Sequence, residues 1–261
     1  MVTMKEKLEN FVKNYVKSYS AAKHTSTDWE EPLIAFADAN NSLFRKLKEV
    51  VDANHVLPSD LLGNAKTVIA YFIPFKKETT LSNTEGAKAS KKWAVAYIET
   101  NQLIANVNEA LSRLLNACGF KAATTPPTHN FDEKKLTSPW SNKHIAFITG
   151  LGKFGIHHMI ITEKGCCGRI GSVVTDAKIA PTKRNSKESC LNKTNGTCGL
   201  CATKCVFGAL TINDFDKHKC YAQCLKNAQA YSELGLADVC GKCVANVPCS
   251  FTNSSKADLI H

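Results

Sequence analysis

The stretch GTCGLCATKCVFGAL, Gly196 to Leu210, sets Cys198, Cys201 and Cys205 within eight positions of a 261-residue chain. Cys190, Cys220, Cys224, Cys240, Cys243 and Cys249 also fall in the last third, so a second dense group is Cys240-x2-Cys243-x5-Cys249. From about Pro181 the long apolar runs stop while cysteine density rises. Residues 181–261 therefore lack the material for a large hydrophobic core and read as a small domain cross-linked by an inorganic centre. Residues 1–180 read as a separate α/β domain.

Thiolates are soft, strongly donating ligands of the kind that iron–sulfur clusters need. Bacterial two-cluster ferredoxins use C-x2-C-x2-C-x3-C, with the last cysteine serving the other cluster. Here the first x2 step is stretched by LNKTNGT, Leu191 to Thr197, and the x2 and x3 steps survive. On that pattern Cys190, Cys198, Cys201 and Cys249 form one 4Fe–4S site, and Cys205, Cys220, Cys240 and Cys243 the other. Gly199 and Gly241 lie in short loops able to turn backbone N–H groups toward cluster sulfides. Zinc also binds C-x2-C pairs, but it gives no role to the x3 step or to Cys249. Disulfides and free thiols are the remaining readings. Cys224 follows Cys220 by one helical turn and reads as a core thiol or cluster neighbour, and Cys118 as a buried thiol at a helix end.

Upstream, Leu8, Phe11, Val12, Tyr15, Val16 and Tyr19 recur with helical spacing, which predicts an amphipathic helix over 4–22. A second helix is expected at 39–51 and a long one at 94–117, closed by Cys118-Gly119. KTVIAYFIPF, Lys66 to Phe75, is a β-rich run ended by proline, a core strand. Residues 79–92 read as a loop, 120–124 as a strand, and 126–139 as a connection of the kind that lines sites. HHMIIT (His157–Thr162) and IGSVVT (Ile170–Thr175) read as neighbouring strands joined through EKGCCGR, with His157 and His158 opening the first on opposite faces. Cys166 and Cys167 in that loop are either a redox or ligand pair or inert buried thiols.

Hydrophobic residues make up 44% and charged residues 21% of the chain, a globular composition. No apolar run is long enough to span a membrane, and the N-terminus lacks a signal-peptide core. Twelve cysteines in a cytoplasmic setting argue for metal or redox chemistry. The net charge of +10 suits nucleic acid, an acidic redox partner or solubility alone, and KASKK (Lys88–Lys92) and KRNSK (Lys183–Lys187) are only short basic runs.

The chain resembles the epoxyqueuosine reductase family, in particular its short members with a double 4Fe–4S domain. The residues that carry the resemblance are LPSDLLGNAKTVIAYFIPF (Leu57–Phe75), GLGKFG (Gly150–Gly155), MIIT (Met159–Thr162), GSVVTD (Gly171–Asp176) and the cysteine ladder ending VPCS (Val247–Ser250). The resemblance implies an α+β protein: a sandwich-like, cobalamin-reductase-like α/β domain, then a ferredoxin-like two-cluster domain. It implies reduction of an epoxide in a modified tRNA nucleoside, and kinship with the iron–sulfur and corrinoid half of reductive dehalogenases. A cobalamin would lie between the domains, beside Gly150, Gly152, Gly155, His157, Gly171 and Ser172. A tight packing turn accounts for the GLG glycines equally well.

The family's catalytic acid maps most closely onto Asp132, with Glu133 and His144 competing and a capping role for Asp132 as the alternative. The chain departs from the family in its Cys205-Val206 dipeptide, in GCCGR and in ending twelve residues after Cys249, short of the tRNA-binding extension. Three functions follow. One is a reductase fed by a low-potential ferredoxin or flavodoxin, passing electrons to a corrinoid or directly to a tRNA or small-molecule substrate. The others are an electron-transfer or metallocentre-assembly protein without a catalytic site, and an RNA-binding module scaffolded by clusters.

Overall fold

The structure is a computed structural model and describes residues 2–257; the end of the expected second domain, 258–261, lies outside the described residues. Strand β2, Thr67–Pro74, is buried at every position. A strand covered on both sides sends alternate side chains into two cores. Ile69, Tyr71 and Ile73 join one core with helices α1 (Met4–Lys23) and α5 (Lys91–Ala117). Val68, Ala70 and Phe72 join the other with α2 (Ser42–Val50) and α6 (Asn142–Thr149). The result is a helix–sheet–helix sandwich. Its sheet has the antiparallel order β1-β2-β6-β3, where β1 is Leu33–Asp38, β3 Ala122–Thr124 and β6 Gly168–Thr175.

Helix α1 starts with a capping box between Thr3 and Glu6 and buries Leu8, Val12, Val16 and Tyr19. Those four recur at the helical interval, so one stripe meets α5. Helix α5 answers with Leu103, Ile104, Val107, Leu111 and Leu115, all fully buried. At about 1.5–3 kcal/mol for each large apolar side chain, this seam is a main source of the domain's stability.

Four local expectations need correction. Strand β1, in EPLIAFAD, was not anticipated, and the helix expected from Ala39 begins at Ser42, where the Asn41 side chain caps it. A single-turn helix, α3 (Pro58–Leu61), precedes β2, and the expected loop at 79–92 overlaps a short helix, α4 (Lys77–Ser82). His157 and His158 do not open a strand: β5 is Ile160–Thr162 and pairs with β4, Gly152–Phe154. Both histidines occupy the hairpin turn, where Gly155 N–H bonds Met159 O at 3.0 Å and His158 takes a positive φ of 58°. Nor is β5 beside β6, since β6 is already flanked by β2 and β3.

Beyond residue 180 the secondary structure is sparse: α7 (Leu191–Asn195), α8 (Leu200–Thr203), α9 (Lys217–Ala230), capped by the Asp216 side chain, a 3-10 turn at Ser232–Leu234 and α10 (Ser254–Ala257). Hydrogen bonds tie this segment to the sandwich. Asn83 Nδ2 donates to Cys240 O at 2.8 Å, and Lys242 Nζ to Glu85 O at 2.6 Å. Cys166 N–H donates to Cys249 O at 3.0 Å and Cys167 N–H to Ser250 O at 3.3 Å. Among the described residues no helix is long and apolar enough to cross a membrane.

Candidate metal centres and the adjoining cavity

All twelve cysteines are free thiols. Cys190, at the start of α7, Cys198, Cys201 on α8 and Cys249 line one small cavity, together with His157. Cys249 and Cys190 head the charges felt by Cys201, whose thiol is pushed up chiefly by burial. Cys205, Cys220 and Cys240 likewise all act on Cys243, and burial raises that thiol too. The structure thus places Cys190, Cys198, Cys201 and Cys249 around one space and Cys220, Cys240 and Cys243 around another, with Cys205 near enough to act on Cys243. Soft thiol donors, buried or half-buried and gathered around a small space, suit an iron–sulfur cluster in each place. Cys201 of the first set is also felt by Cys243 of the second, so the sets are neighbours.

His157 faces the first set. Its Nδ1 accepts the Met159 N–H at 3.1 Å, which leaves the proton on Nε2, 3.3 Å from Cys249 Sγ. Hydrogen bonding from Cys166 and then from His157 pulls the Cys249 thiol down to about 5. The ligand atoms of His157, Cys166 and Cys249 lie within 4.8 Å of one another, all buried. The GCCGR pair has a mechanical role as well: Cys167 O accepts from Phe75 N–H at the end of β2, and its Sγ donates to Val244 O at 3.1 Å. This couples the sheet to the loop that carries Cys240, Cys243 and Cys249. Cys224 sits one turn from Cys220 and hydrogen-bonds to it, which lowers Cys220 to about 7. Cys118 is half-buried at the end of α5, near Lys7 Nζ.

Gly241 shows why the second cysteine loop needs glycine. Its φ is +71°, and a Cβ there would meet the Trp93 ring at 2.4 Å. Trp93 is in turn held edge-on by Phe75 at 5.0 Å.

Beside the second set is a cavity of about 310 Å³ whose wall includes Cys220, Cys224, Cys240 and Cys243. Phe75, Trp93, Met159, Val239 and Val244 make it mostly apolar. Its polar groups include His157, His158 and, from α5, β6 and the loop before Cys240, Tyr97, Arg169 and Asp238. Tyr97 OH donates to Asp238 Oδ1 at 2.6 Å, and Arg169 stacks 4.2 Å above the Tyr97 ring. Burial raises the Tyr97 hydroxyl, so it keeps its proton. Lys143 also reaches this wall, where burial lowers its ammonium while Cys220 and Cys243 oppose that effect. Sequence reasoning missed Tyr97, Arg169, Asp238 and Lys143. An arginine inside the β-type run GRIGSVVT was the available signal, because a charge in a buried strand requires a partner or a function.

The other expected site residues lie elsewhere. Asp132 is exposed and does not line the cavity; its carboxylate accepts the Lys134 and Lys135 N–H groups at 2.8 Å, capping a turn rather than a helix. Glu133 is exposed too. His144 lines a second compartment of about 490 Å³ with Gly155, Lys193 and Phe215. Gly150 and Gly152 border a third cleft, near Arg184. An added Cβ at Gly152 would meet Ile161 O at 2.3 Å, at Gly155 the His157 ring at 2.7 Å, and at Gly171 the Tyr71 ring at 2.3 Å. The protein's own atoms fill the space these glycines leave. Ser172 is closed off by Trp140 Nε1 at 2.9 Å and Asn142 Oδ1 at 2.6 Å. Stacked His158 and Phe215, with ring centroids 4.6 Å apart, line both the 310 and 490 Å³ compartments. As folded, Gly152, Gly155, Gly171 and Ser172 face the protein's own atoms rather than an open cradle, and so do not fit a corrin ring.

No protein-family model matches the chain, and no curated protein does. Comparison with solved structures is informative. The Bacillus subtilis epoxyqueuosine reductase, with its catalytic aspartate loop swung out of the active site, matches 95% of this chain at 15% identity, with a TM-score of 0.59.

The fold is that of epoxyqueuosine reductase.

The epoxyqueuosine reductase bound to an epoxyqueuosine-modified tRNA stem loop gives the same TM-score at 17% identity. A catabolic reductive dehalogenase in complex with 3-bromo-4-hydroxybenzoic acid matches 90% of this chain at 14% identity and a TM-score of 0.60. This chain spans 65% of the length of those epoxyqueuosine reductases and 32% of that dehalogenase.

Proposed function

We propose that this chain is an iron–sulfur oxidoreductase of the epoxyqueuosine-reductase kind. Residues 1–180 form its substrate domain and 181–261 its two-cluster domain, working in the reducing cytoplasm. The observation that carries the reading is the gathering of Cys190, Cys198, Cys201 and Cys249 around one small space and of Cys220, Cys240 and Cys243 on the wall of the larger cavity, with Cys205 acting on Cys243. An electron-transfer protein alone has no use for a cavity with a buried tyrosine, arginine and aspartate beside its metal ligands.

When bound, the clusters supply single electrons at low potential. Cys190, Cys198, Cys201 and Cys249 hold the first, and Cys205, Cys220, Cys240 and Cys243 the second. Nε2–H of His157 steadies the Cys249 sulfur, and the Lys143 ammonium offsets thiolate charge at Cys220 and Cys243. Apolar walls exclude water from the cavity, which strengthens each polar contact inside it. Reduction of an organic bond also consumes a proton, and Tyr97 Oη holds one at the cavity wall, oriented by Asp238. This hydroxyl takes the role expected of Asp132. The electron donor is a low-potential ferredoxin or flavodoxin. The substrate is a modified tRNA nucleoside or a smaller molecule reduced directly in the cavity.

The test is anaerobic reduction of the purified chain by dithionite, followed by epoxyqueuosine-containing tRNA and a panel of small acceptors. Oxidation of reduced clusters by one acceptor, slowed in Y97F, supports the reading. Clusters that no acceptor oxidises in stoichiometric turnover contradict it.

A further inference from the structure

We infer that an acidic, low-potential electron-carrier protein docks over the first cysteine set, on the face that carries Leu200, Val206 and Ile212. This rests on the reading that electrons cross the two sets toward the cavity, and it locates where they enter. The second set walls that cavity, so entry belongs at the first, which lines a separate space. Leu200 lies between Cys198 and Cys201, and Val206 directly follows Cys205. Among the described residues nine large apolar side chains are exposed, and Leu200, Val206 and Ile212 all fall within positions 200–212. A Cβ added at Gly199 would lie 3.0 Å from Ile212 Cδ1, so Ile212 covers the same Cys198–Cys201 loop that presents Leu200. Apolar side chains gathered in water on a metal-ligand loop mark a surface made for contact.

Charge names the partner. The segment 193–219 carries four lysines, and among the described residues none of them forms an ion pair. Their ammonium groups rest on backbone carbonyls instead: Lys193 on Phe154 O at 2.8 Å, Lys204 on Ala245 O at 3.2 Å, Lys217 on Lys135 O at 2.6 Å and Lys219 on Gly208 O at 3.4 Å. A carbonyl fixes an ammonium in place without cancelling its charge. Of the two carboxylates in the segment, Asp216 caps α9 and Asp214 lines the 490 Å³ compartment. Fixed positive charge around a small apolar centre suits a negatively charged protein: the charges steer the encounter and the apolar centre seats it. A contact of this size also releases its partner readily, as redox encounters require. RNA would use the lysines but gain nothing from three aliphatic side chains, since bases stack on aromatic ones. At each encounter the carrier gives up one electron and no proton moves.

The experiment is anaerobic stopped-flow mixing of the whole chain, as purified with its clusters, with a reduced acidic two-cluster ferredoxin, and with dithionite as the control that needs no docking. The rate with ferredoxin should fall about tenfold or more between about 0.05 and 0.5 M salt. L200D and I212D alter exposed side chains and should keep native circular dichroism. Each should slow reduction by ferredoxin about tenfold and leave the dithionite rate unchanged. K193E/K219E should slow it at low salt only. Failure of ferredoxin to reduce the protein, rates in L200D and I212D equal to the unmodified protein's, or a rate indifferent to salt each overturn the inference. So does tRNA binding that L200D abolishes, which would assign the face to RNA. Reduction by ferredoxin that L200D slows, in protein whose clusters no acceptor then oxidises, keeps the docking face while removing the reductase reading, so the two failures are distinct.

Discussion

Replacing Gly241 by alanine separates two costs that the structure assigns to different glycines. Gly241 and Gly196 have similar backbones, with φ of +71° and +74°. Any L side chain in that region costs roughly 1–2 kcal/mol. At Gly196 an added Cβ meets nothing within 4 Å, so G196A should lose only that amount. At Gly241 the Cβ would sit 2.4 Å from Trp93 Cζ2, and Trp93 is 4% exposed. Trp93 cannot retreat without disturbing Phe75, so overpacking adds about 1–3 kcal/mol. G241A should then lose about 2–5 kcal/mol in total. Anaerobic guanidinium unfolding of both variants, read as midpoint and slope, measures the difference, with iron content as a second readout. G241A should also bind less iron, because the same loop carries Cys240 and Cys243. Equal destabilisation of the two variants would refute the argument that the cysteine loop is seated on Trp93.

Other perturbations test separate parts of the site. C220A should lose the iron of one cluster while C224A keeps both, as read by iron analysis and electron paramagnetic resonance; the reverse pattern would make Cys224 the ligand. Removing a hydrogen bond to a ligand sulfur lowers a cluster's potential, so H157L should shift one midpoint downward in a redox titration and leave the other unmoved. Burial, then the Lys143 charge, pushes His144 down to about 4. The unfolded chain takes up that proton near 6.5, so stability should fall as pH drops from about 6.5 to about 4, by at most about 3 kcal/mol. H144Q should flatten that slope in unfolding measured across the range; an unchanged slope would show that other groups set it. D132A should leave cluster oxidation by the accepted substrate unchanged, since Asp132 faces solvent, and a large loss would return the acid role to it.

The parts of the fold legible in the sequence are those with a local signature. TVIAYFIP reads as a buried strand because apolar β-formers run unbroken to a proline, and α1 and α5 announce themselves by their stripes. Strand β1 is short, alanine-containing and preceded by Glu-Glu-Pro, so nothing local marks it; pairing with β2 creates it. The β4–β5 hairpin was obscured because apolar Met159 and Ile160 extend the strand pattern back toward two histidines that a turn requires. The two dense cysteine groups, Cys198–Cys205 and Cys240–Cys249, were legible through spacing. The cavity was not, because Tyr97, Arg169 and Asp238 come from three distant segments and meet only after the C-terminal part docks on the sandwich. The glycines of GLGKFG and GSVVTD misled in the opposite way: their small size serves Ile161, His157 and Tyr71 rather than a ligand.

Metal and labile-sulfide analysis of anaerobically purified protein, with Mössbauer spectra of the iron-57 form, reaches the central claim most directly. The thiol geometry predicts iron and sulfide equivalent to two cubane clusters per chain, with spectra of two 4Fe–4S centres. Zinc as the bound metal, or sulfurs joined to one another in a folded protein, would contradict it.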